Sequence, residues 1–250
     1  MFVLYNKKIV VTGAAQGNGE AIAKGLSQLG ATVILADLNL EKLEQVKQDI
    51  VATGREAYAF ALNVADLENC QQFAQQVQQT LGDIDVLVNN AGILRRSNIE
   101  SESTFKDLDD TLNINLKGSY NLTHSFLESL KKTQGNIVNV ASIQSFVAAT
   151  SATTYAISKG AVAQMTKTLA AELAKYGIRV NAIAPGVIET PMTEFTRSNQ
   201  GMIEGYLRHV PMNRTGQPTE LVGPVSFLCS NAASYVTGCI LPVDGGYLTV

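Results

Sequence analysis

Lys8-Ile9-Val10-Val11-Thr12-Gly13-Ala14-Ala15-Gln16-Gly17-Asn18-Gly19 is a short apolar run that passes directly into a glycine-rich turn. Lys8 to Thr12 reads as a buried strand, and Glu20 to Leu29 carries apolar residues at helical spacing, so the turn joins a strand to a helix. At such a junction, residues without a Cβ let the backbone bend sharply and approach a ligand, while free N–H groups and the helix dipole attract a phosphate. Gly13, Gly17 and Gly19 give G-x-x-x-G-x-G rather than G-x-G-x-x-G, and the lysine of a P-loop is absent, so a nucleoside triphosphate fits poorly. Taken alone, the cluster can also be an ordinary tight turn.

The next strand, Thr32 to Ala36, ends in Asp37, about twenty residues beyond the glycine turn, where an acid meets an adenosine ribose. A carboxylate there accepts hydrogen bonds from the 2′ and 3′ hydroxyls but repels a 2′-phosphate, by about 1 to 4 kcal/mol at roughly 4 Å. No Lys or Arg stands in the turn or at Leu38 and Asn39 to offset it, so the pattern favours NAD. Capping of a helix beginning near Leu40 is the plainer role open to Asp37.

With 250 residues, 46% of them hydrophobic and 16% charged, the chain can bury one sizeable core, and nothing resembles a linker or a low-complexity tract. One domain over 1–250 is the simplest count. A net charge of -3 argues against nucleic acid, and the pairs Lys7/Lys8, Arg95/Arg96 and Lys131/Lys132 are isolated rather than a patch. The apolar runs are too short to span a membrane, and Met1 to Tyr5 is too short for a signal-peptide core, so a cytoplasmic location is expected. Cys70, Cys229 and Cys239 form neither an even framework nor a C-x-x-C pair and read as apolar fillers without disulfides. His124 and Glu128 have helical spacing, but zinc needs three or four ligands, so no metal is expected.

Strand-like runs alternate with helical patterns: Lys8 to Thr12, Thr32 to Ala36, Glu56 to Leu62, Val86 to Asn89, Asn136 to Ala141, Arg179 to Ala184 and Ile240 to Val243. Apolar runs without alternation suit parallel strands covered on both faces. The right-handed crossover rule then predicts an α/β fold, a Rossmann-type doubly wound domain with a seven-stranded, mostly parallel sheet. Ligands of such sheets gather at the strands' C-terminal ends. Gly13, Asp37, Asn63, Asn89 to Gly92, Ser142 and Pro185 to Gly186 all follow strands.

Asn89-Asn90-Ala91-Gly92 offers two amides able to tie neighbouring strands and a small turn able to approach a flat adenosine, although Asn and Gly are also common turn residues. Tyr155 and Lys159 are spaced i, i+4 and share a helix face, which puts an ammonium near a phenol; that charge and a nicotinamide's own positive ring can lower the phenol's pKa toward the range of a general base. Ser142 can orient a substrate oxygen toward that phenol. It is no hydrolase nucleophile, because the chain lacks a G-x-S-x-G elbow. A surface tyrosine and a solvated lysine are the bland readings of the same spacing.

In combination these residues resemble the short-chain dehydrogenase/reductase family over essentially the whole chain. The resemblance rests on Thr12-Gly13-x-x-x-Gly17-x-Gly19, Asn89-Asn90-Ala91-Gly92, Asn115 in Asn113-Ile114-Asn115, Ser142, Tyr155-x-x-x-Lys159, and Pro185-Gly186 followed by Thr190. It implies Tyr155 as acid/base, Lys159 as its pKa partner and holder of the nicotinamide ribose, Ser142 as substrate orienter and Asn115 as anchor of a relay water. It implies a dinucleotide site at Gly13, Gln16, Gly17, Asn18, Gly19, Asp37, Leu38, Asn63, Val64, Asn90, Ala91, Gly92, Tyr155, Lys159, Pro185, Gly186, Ile188 and Thr190. Two departures stand out. Asn18 replaces an aliphatic residue near the pyrophosphate, and Asn63 stands where an Asp often meets the adenine amine but retains a carbonyl acceptor.

The reaction implied is NAD-dependent interconversion of a secondary alcohol and a ketone, or a lactol and a lactone. Substrate choice is expected to lie in Leu94 to Arg96, Gln144 to Ala149, Val187 and a lid at about 190–211 bounded by Pro191 and Pro211. Ile93-Leu94-Arg95-Arg96 looks like the segment after NNAG in gluconate 5-dehydrogenases and 2-deoxygluconate 3-dehydrogenases, so an arginine can hold a substrate carboxylate, or the pair can simply be solvated. Glucose dehydrogenase-like members are also similar. One rival is a 3-oxoacyl-[acyl-carrier-protein] reductase with Lys131, Lys132 and Arg179 at the pocket mouth; another is a catalytically silent NAD(H)-binding sensor or scaffold. Helices at about Asn115 to Leu130 and Tyr155 to Tyr176 are expected to meet in a homotetramer or homodimer.

Overall fold

A computed structural model describes residues 3–150 and 152–250. Seven strands, β1 Lys8–Thr12, β2 Thr32–Asp37, β3 Ala57–Ala61, β4 Val86–Asn89, β5 Asn136–Val140, β6 Arg179–Pro185 and β7 Ile240–Val243, form one sheet in the order β3-β2-β1-β4-β5-β6-β7. Every neighbouring pair is parallel, so the sheet is parallel throughout rather than mostly so. The order reverses between β1 and β4, where a crevice opens at the carboxyl ends.

Side chains alternate across each strand, and here both faces are apolar. Ile9, Val11, Val33, Leu35, Val86 and Val138 bury one face against α1 (Gly17–Gln28), α2 (Leu40–Val51) and α10 (Val222–Cys229), through Ile22, Leu26, Leu43, Val46, Val225 and Leu228. Val10, Ile34, Leu87, Ile137 and Val180 bury the other against α3 (Leu67–Leu81), α5 (Gly118–Ser125), α6 (Leu127–Thr133) and α7 (Thr153–Leu173). Phe73 packs edge to face on both Phe60 and Phe126 at the centre of that layer.

The strands match their sequence bounds to within a residue or two, but the long helix expected at about Asn115 to Leu130 is broken. α4 (Thr104–Thr111) runs into a wider π-helical turn at Leu112–Lys117 before α5, and Phe126, at φ -97 and ψ 3, separates α5 from α6. Beyond β6 come α8 (Glu194–Ser198) and α9 (Gln200–Leu207), within the segment 190–211. Cys70 and Cys229 are buried free thiols, and burial pushes both up to about 12. Among the described residues, no helix is long and apolar enough to cross a membrane.

Candidate active site

The glycine turn is shaped by contact as well as by dihedral angle. Gly13 and Gly17 sit at φ +63 and +60, and a Cβ on Gly19 would lie 2.1 Å from the Gly13 carbonyl oxygen. The neighbouring strand end locks the turn in place. Asn90 Nδ2 donates to the carbonyls of Thr12 at 2.8 Å and Gly13 at 3.2 Å, and the Thr12 hydroxyl accepts the Asn90 and Ala91 amides at 3.0 Å each. Asn89 continues the tie, donating to Asn139 Oδ1 at 2.9 Å, while Asn139 donates to the Thr166 hydroxyl on α7 at 2.9 Å. The two amides of the Asn89-Asn90 pair thus join strand ends, as the sequence suggested.

These turns border a cavity of about 310 Å³ at the carboxyl ends of the strands. Of the residues expected to bind a dinucleotide or do chemistry, all line it except Gly19 and Asn115. Gly19 lies beneath the turn it makes possible. Asn115, in the π-turn, accepts the Ile93 amide at 2.8 Å and donates to the Ile93 carbonyl at 3.0 Å and the Ser158 hydroxyl at 2.9 Å. Ser158 in turn donates to the Tyr155 carbonyl at 2.7 Å, which couples the π-turn to α7.

At the ribose end, Asp37 Oδ2 accepts the Ala15 amide at 3.2 Å and Oδ1 accepts the Asn39 amide at 3.0 Å. The cap of α2 is Asn39, which accepts the Lys42 amide at 3.0 Å, so Asp37 is not spent on capping. Asn63 Oδ1 accepts the Ala65 amide at 3.1 Å and keeps a second lone pair. Asn18 Oδ1 is buried without a partner. A cradle that glycine alone can form, a carboxylate at the ribose position that keeps lone pairs beyond its two backbone N–H partners, and an unpaired polar atom beside the helix start fit a dinucleotide.

At the chemical end, Tyr155, Lys159 and Ser142 share the cavity wall. The bare Cα of Gly92 makes room for Asn115, since a Cβ there would lie 3.1 Å from Asn115 Oδ1, with Lys159 Nζ in ordinary contact at 3.6 Å. The expected depression of the phenol's pKa calls for the cofactor's positive ring as well as Lys159, because the side chains alone do not provide it. Burial pushes Tyr155 up to about 12, and a hydrogen bond with Ser142 offsets only part of this. Lys159 stands 5.6 Å from the ring centre and donates to the Val140 carbonyl at 2.6 Å, while burial lowers its own pKa to about 8.

Several expected substrate residues lie elsewhere. Arg95 reaches Asp110 at 3.6 Å, and Arg96 donates to the Thr196 hydroxyl at 2.5 Å with its guanidinium 4.8 Å from the Phe195 ring centre. Neither lines the cavity; Ile93, Met192 and Thr193 do. The basic residues offered for an acidic carrier protein are on the wrong edge. Arg179 starts β6 and donates to the Leu228 and Ser230 carbonyls, while Lys131 and Lys132 precede β5 and meet Glu128 and Asp83. Strand starts lie opposite the carboxyl ends that carry the cavity. The Val140 carbonyl carries no motif signal of its own and emerges only from the fold, as does the part the Thr12 hydroxyl plays in holding Asn90 and Ala91.

A family model described as enoyl-(acyl carrier protein) reductase matches residues 13–248. The 3-oxoacyl-[acyl-carrier-protein] reductase of Thermotoga maritima is 41% identical over 244 residues, covering 97% of this chain and 98% of that protein. The gluconate 5-dehydrogenase of Gluconobacter oxydans is 35% identical over 247 residues, covering 98% and 96%. The crystal structure of a gluconate 5-dehydrogenase from Burkholderia cenocepacia in complex with NADP and tartrate superposes with a TM-score of 0.96 at 32% identity, covering 100% of this chain and 98% of that one.

Proposed function

The chain belongs to the short-chain dehydrogenase/reductase family, and from that membership we propose that it is an NAD-preferring dehydrogenase interconverting a secondary alcohol and a ketone, or a lactol and a lactone, on a sugar or sugar acid. The coarser part, an oxidoreductase acting on CH–OH groups with NAD(P), is common ground with its relatives. The observation that carries the reading is the convergence of Tyr155, Ser142 and Lys159 on one wall of a cavity whose far end presents Asp37.

A bound NAD(P) supplies a hydride acceptor or donor and, when oxidised, a positive ring. The chain's own residues handle the proton. Ser142 holds the substrate oxygen and Tyr155 takes its proton on oxidation or returns it on reduction. A phenol at about 12 is a poor base near neutrality, so it needs added positive charge. Lys159, pinned by Val140, keeps an ammonium beside the ring. Asn115 is braced by Ile93 and Ser158, and this fixed position supports reading it as the anchor of a relay water. Gly13, Gln16, Gly17, Asn18 and Gly19 cradle the pyrophosphate, Asp37 and Leu38 the ribose and adenine, with Asn63 and Val64 beyond. Asn90, Ala91 and Gly92 back the adenosine, and Pro185, Gly186, Ile188 and Thr190 orient the nicotinamide.

Segment 190–211 acts as the substrate lid of a single-domain enzyme. Arg96, whose partners there are the neutral Thr196 and Phe195, is better placed than Arg95 to release toward a substrate carboxylate. Tartrate, which the Burkholderia relative holds, is a hydroxy acid, and this supports the sugar-acid reading. The 3-oxoacyl reading is supported by the 41% identity of the Thermotoga relative, but the basic residues proposed for its carrier lie far from the mouth. Exposed Phe105, Tyr120 and Ile157 on α4, α5 and α7 support a homotetramer or homodimer.

The test is NADH formation by the purified protein against sugars, aldonic acids, small diols and hydroxyacyl thioesters, with NADP in parallel. Turnover of aldonates supports the reading. Turnover of thioesters alone transfers it to the carrier-protein reductases, and dinucleotide binding without turnover of any alcohol or ketone indicates a silent sensor.

A further inference from the structure

We propose that Lys42 gives this chain a seat for a 2′-phosphate beside Asp37, so that NADP is accepted as well as NAD and the preference between them is shallow. This rests on the oxidoreductase reading above and specifies its cofactor choice.

The carboxylate that repels a 2′-phosphate is not left bare. Each Asp37 oxygen already accepts a backbone N–H, from Ala15 and from Asn39, and these donors offset part of its charge. The sequence offers no cation within the glycine turn or directly after Asp37, but the fold brings one from the next helix. Lys42 lies in the first turn of α2, and its Nζ donates to Gln16 Oε1 at 3.2 Å. Gln16 lines the cavity together with Asp37 and Leu38, so the ammonium, although Lys42 itself does not line the cavity, lies one hydrogen bond from that end of the site.

Lys42 also differs from the lysines around it. Lys24 pairs with Glu20 and Asp49, and Lys47 pairs with Glu44, whereas among the described residues the Lys42 ammonium bonds a neutral amide and no carboxylate. A cation held by an amide gives up little on turning to a phosphate, and its flexible four-carbon stem allows that turn. The lysine acts on a 2′-phosphate with the sign opposite to that of Asp37, and as an exposed cation it offsets the repulsion only in part.

The test is calorimetric titration of the full-length protein with NADH, NADPH, AMP and 2′,5′-ADP, for the wild type, Lys42→Ala and Lys42→Arg. The wild type is expected to bind NADPH within about thirtyfold of NADH. Lys42→Ala is expected to raise the ratio of the two dissociation constants by about three- to tenfold, with the 2′,5′-ADP to AMP ratio moving in parallel and Lys42→Arg restoring both. Raised salt should erase the difference between wild type and Lys42→Ala. A ratio unmoved by Lys42→Ala, or a wild type that binds NADH but not NADPH, overturns the proposal and leaves the oxidoreductase reading intact. If neither dinucleotide binds, that reading falls and takes this one with it.

Discussion

Lys159 donates its ammonium to the carbonyl of Val140, the last residue of β5, at 2.6 Å. The charge required beside Tyr155 is thus tethered to the sheet rather than to the phenol. A group fixed in this way can act on the phenol through space, across 5.6 Å to the ring centre, without competing for the hydroxyl that the substrate must reach. Burial lowers Lys159 to about 8 and raises Tyr155 to about 12, so the pair is set for a positive neighbour to bring the phenol back down.

The burial of Lys159 has a consequence for stability. The folded-state pKa of Lys159, about 8, lies below its usual 10.5, so between those values the unfolded chain binds more protons than the folded one. Stability contributed by this site therefore rises as pH climbs from about 8 toward about 10, by on the order of 3 kcal/mol, and is at its low level below about 8. The melting temperature of the cofactor-free wild type minus that of Lys159→Met, followed across that window, should increase; a flat difference contradicts the assignment.

Tyr155→Phe removes the acid/base group while leaving the ring that borders the cavity. The expected outcome is a fall in kcat of about a hundred- to ten-thousandfold with NADH affinity nearly unchanged. In the wild type, alcohol oxidation should rise with pH because the phenol must be ionised to accept a proton, and ketone reduction should fall over the same range. Full activity in Tyr155→Phe would remove the proposed mechanism.

The lid contact separates the two arginines that sequence left equivalent. Arg96 bonds Thr196 and lies over Phe195, while Arg95 faces Asp110. Arg96→Ala is expected to raise the KM for an aldonate by about tenfold and to speed proteolytic cleavage within 194–207, with little change from Arg95→Ala. Steady-state kinetics and limited proteolysis of both variants check this, and equal effects would assign the lid contact no special part.

The strands were legible because short apolar runs such as Val86 to Asn89 bury both faces and leave no alternation to misread. The cavity was legible for a related reason, since Gly13, Asn90 and Ser142 follow strands and Asp37 ends one, and a parallel sheet collects such positions on one edge. The same logic read strictly would have placed Arg179 on the opposite edge, because it begins its strand. The π-turn around Asn115 was hidden because Leu112–Lys117 holds no glycine or proline to mark a break in the helix. Lys42 was hidden because its partner Gln16 is distant in sequence and only the packing of α2 beside the glycine turn brings them together.

Two glycines offer a matched contrast. At Gly19 a Cβ would fall 2.1 Å from the Gly13 carbonyl oxygen and 2.5 Å from Asn90 Nδ2, so Gly19→Ala must push the turn apart. It is expected to cost about 2 to 4 kcal/mol and to abolish dinucleotide binding. Gly205 lies within α9, and a Cβ there meets nothing within 4 Å, so Gly205→Ala should stabilise by about 0.5 to 1 kcal/mol. Thermal melts with calorimetric NADH titration distinguish them, and a stable, NADH-binding Gly19→Ala would contradict the contact argument.

Asn18 tests whether function has been favoured over stability in the cradle. Its Oδ1 is buried without a hydrogen-bond partner at the second residue of α1, and a buried unsatisfied polar atom costs about 1 to 3 kcal/mol. An apolar side chain of similar size removes that cost and packs against the same walls, so Asn18→Leu should raise the melting temperature of the cofactor-free protein. The amide nitrogen lost in the same change is a donor beside the proposed pyrophosphate position, so NADH affinity should fall as stability rises. The two effects have opposite signs and separate readouts, a melt without dinucleotide and a titration with it. If Asn18→Leu lowers the melting temperature, the carbonyl is satisfied in solution; if it raises both stability and affinity, the asparagine contributes nothing to the cradle.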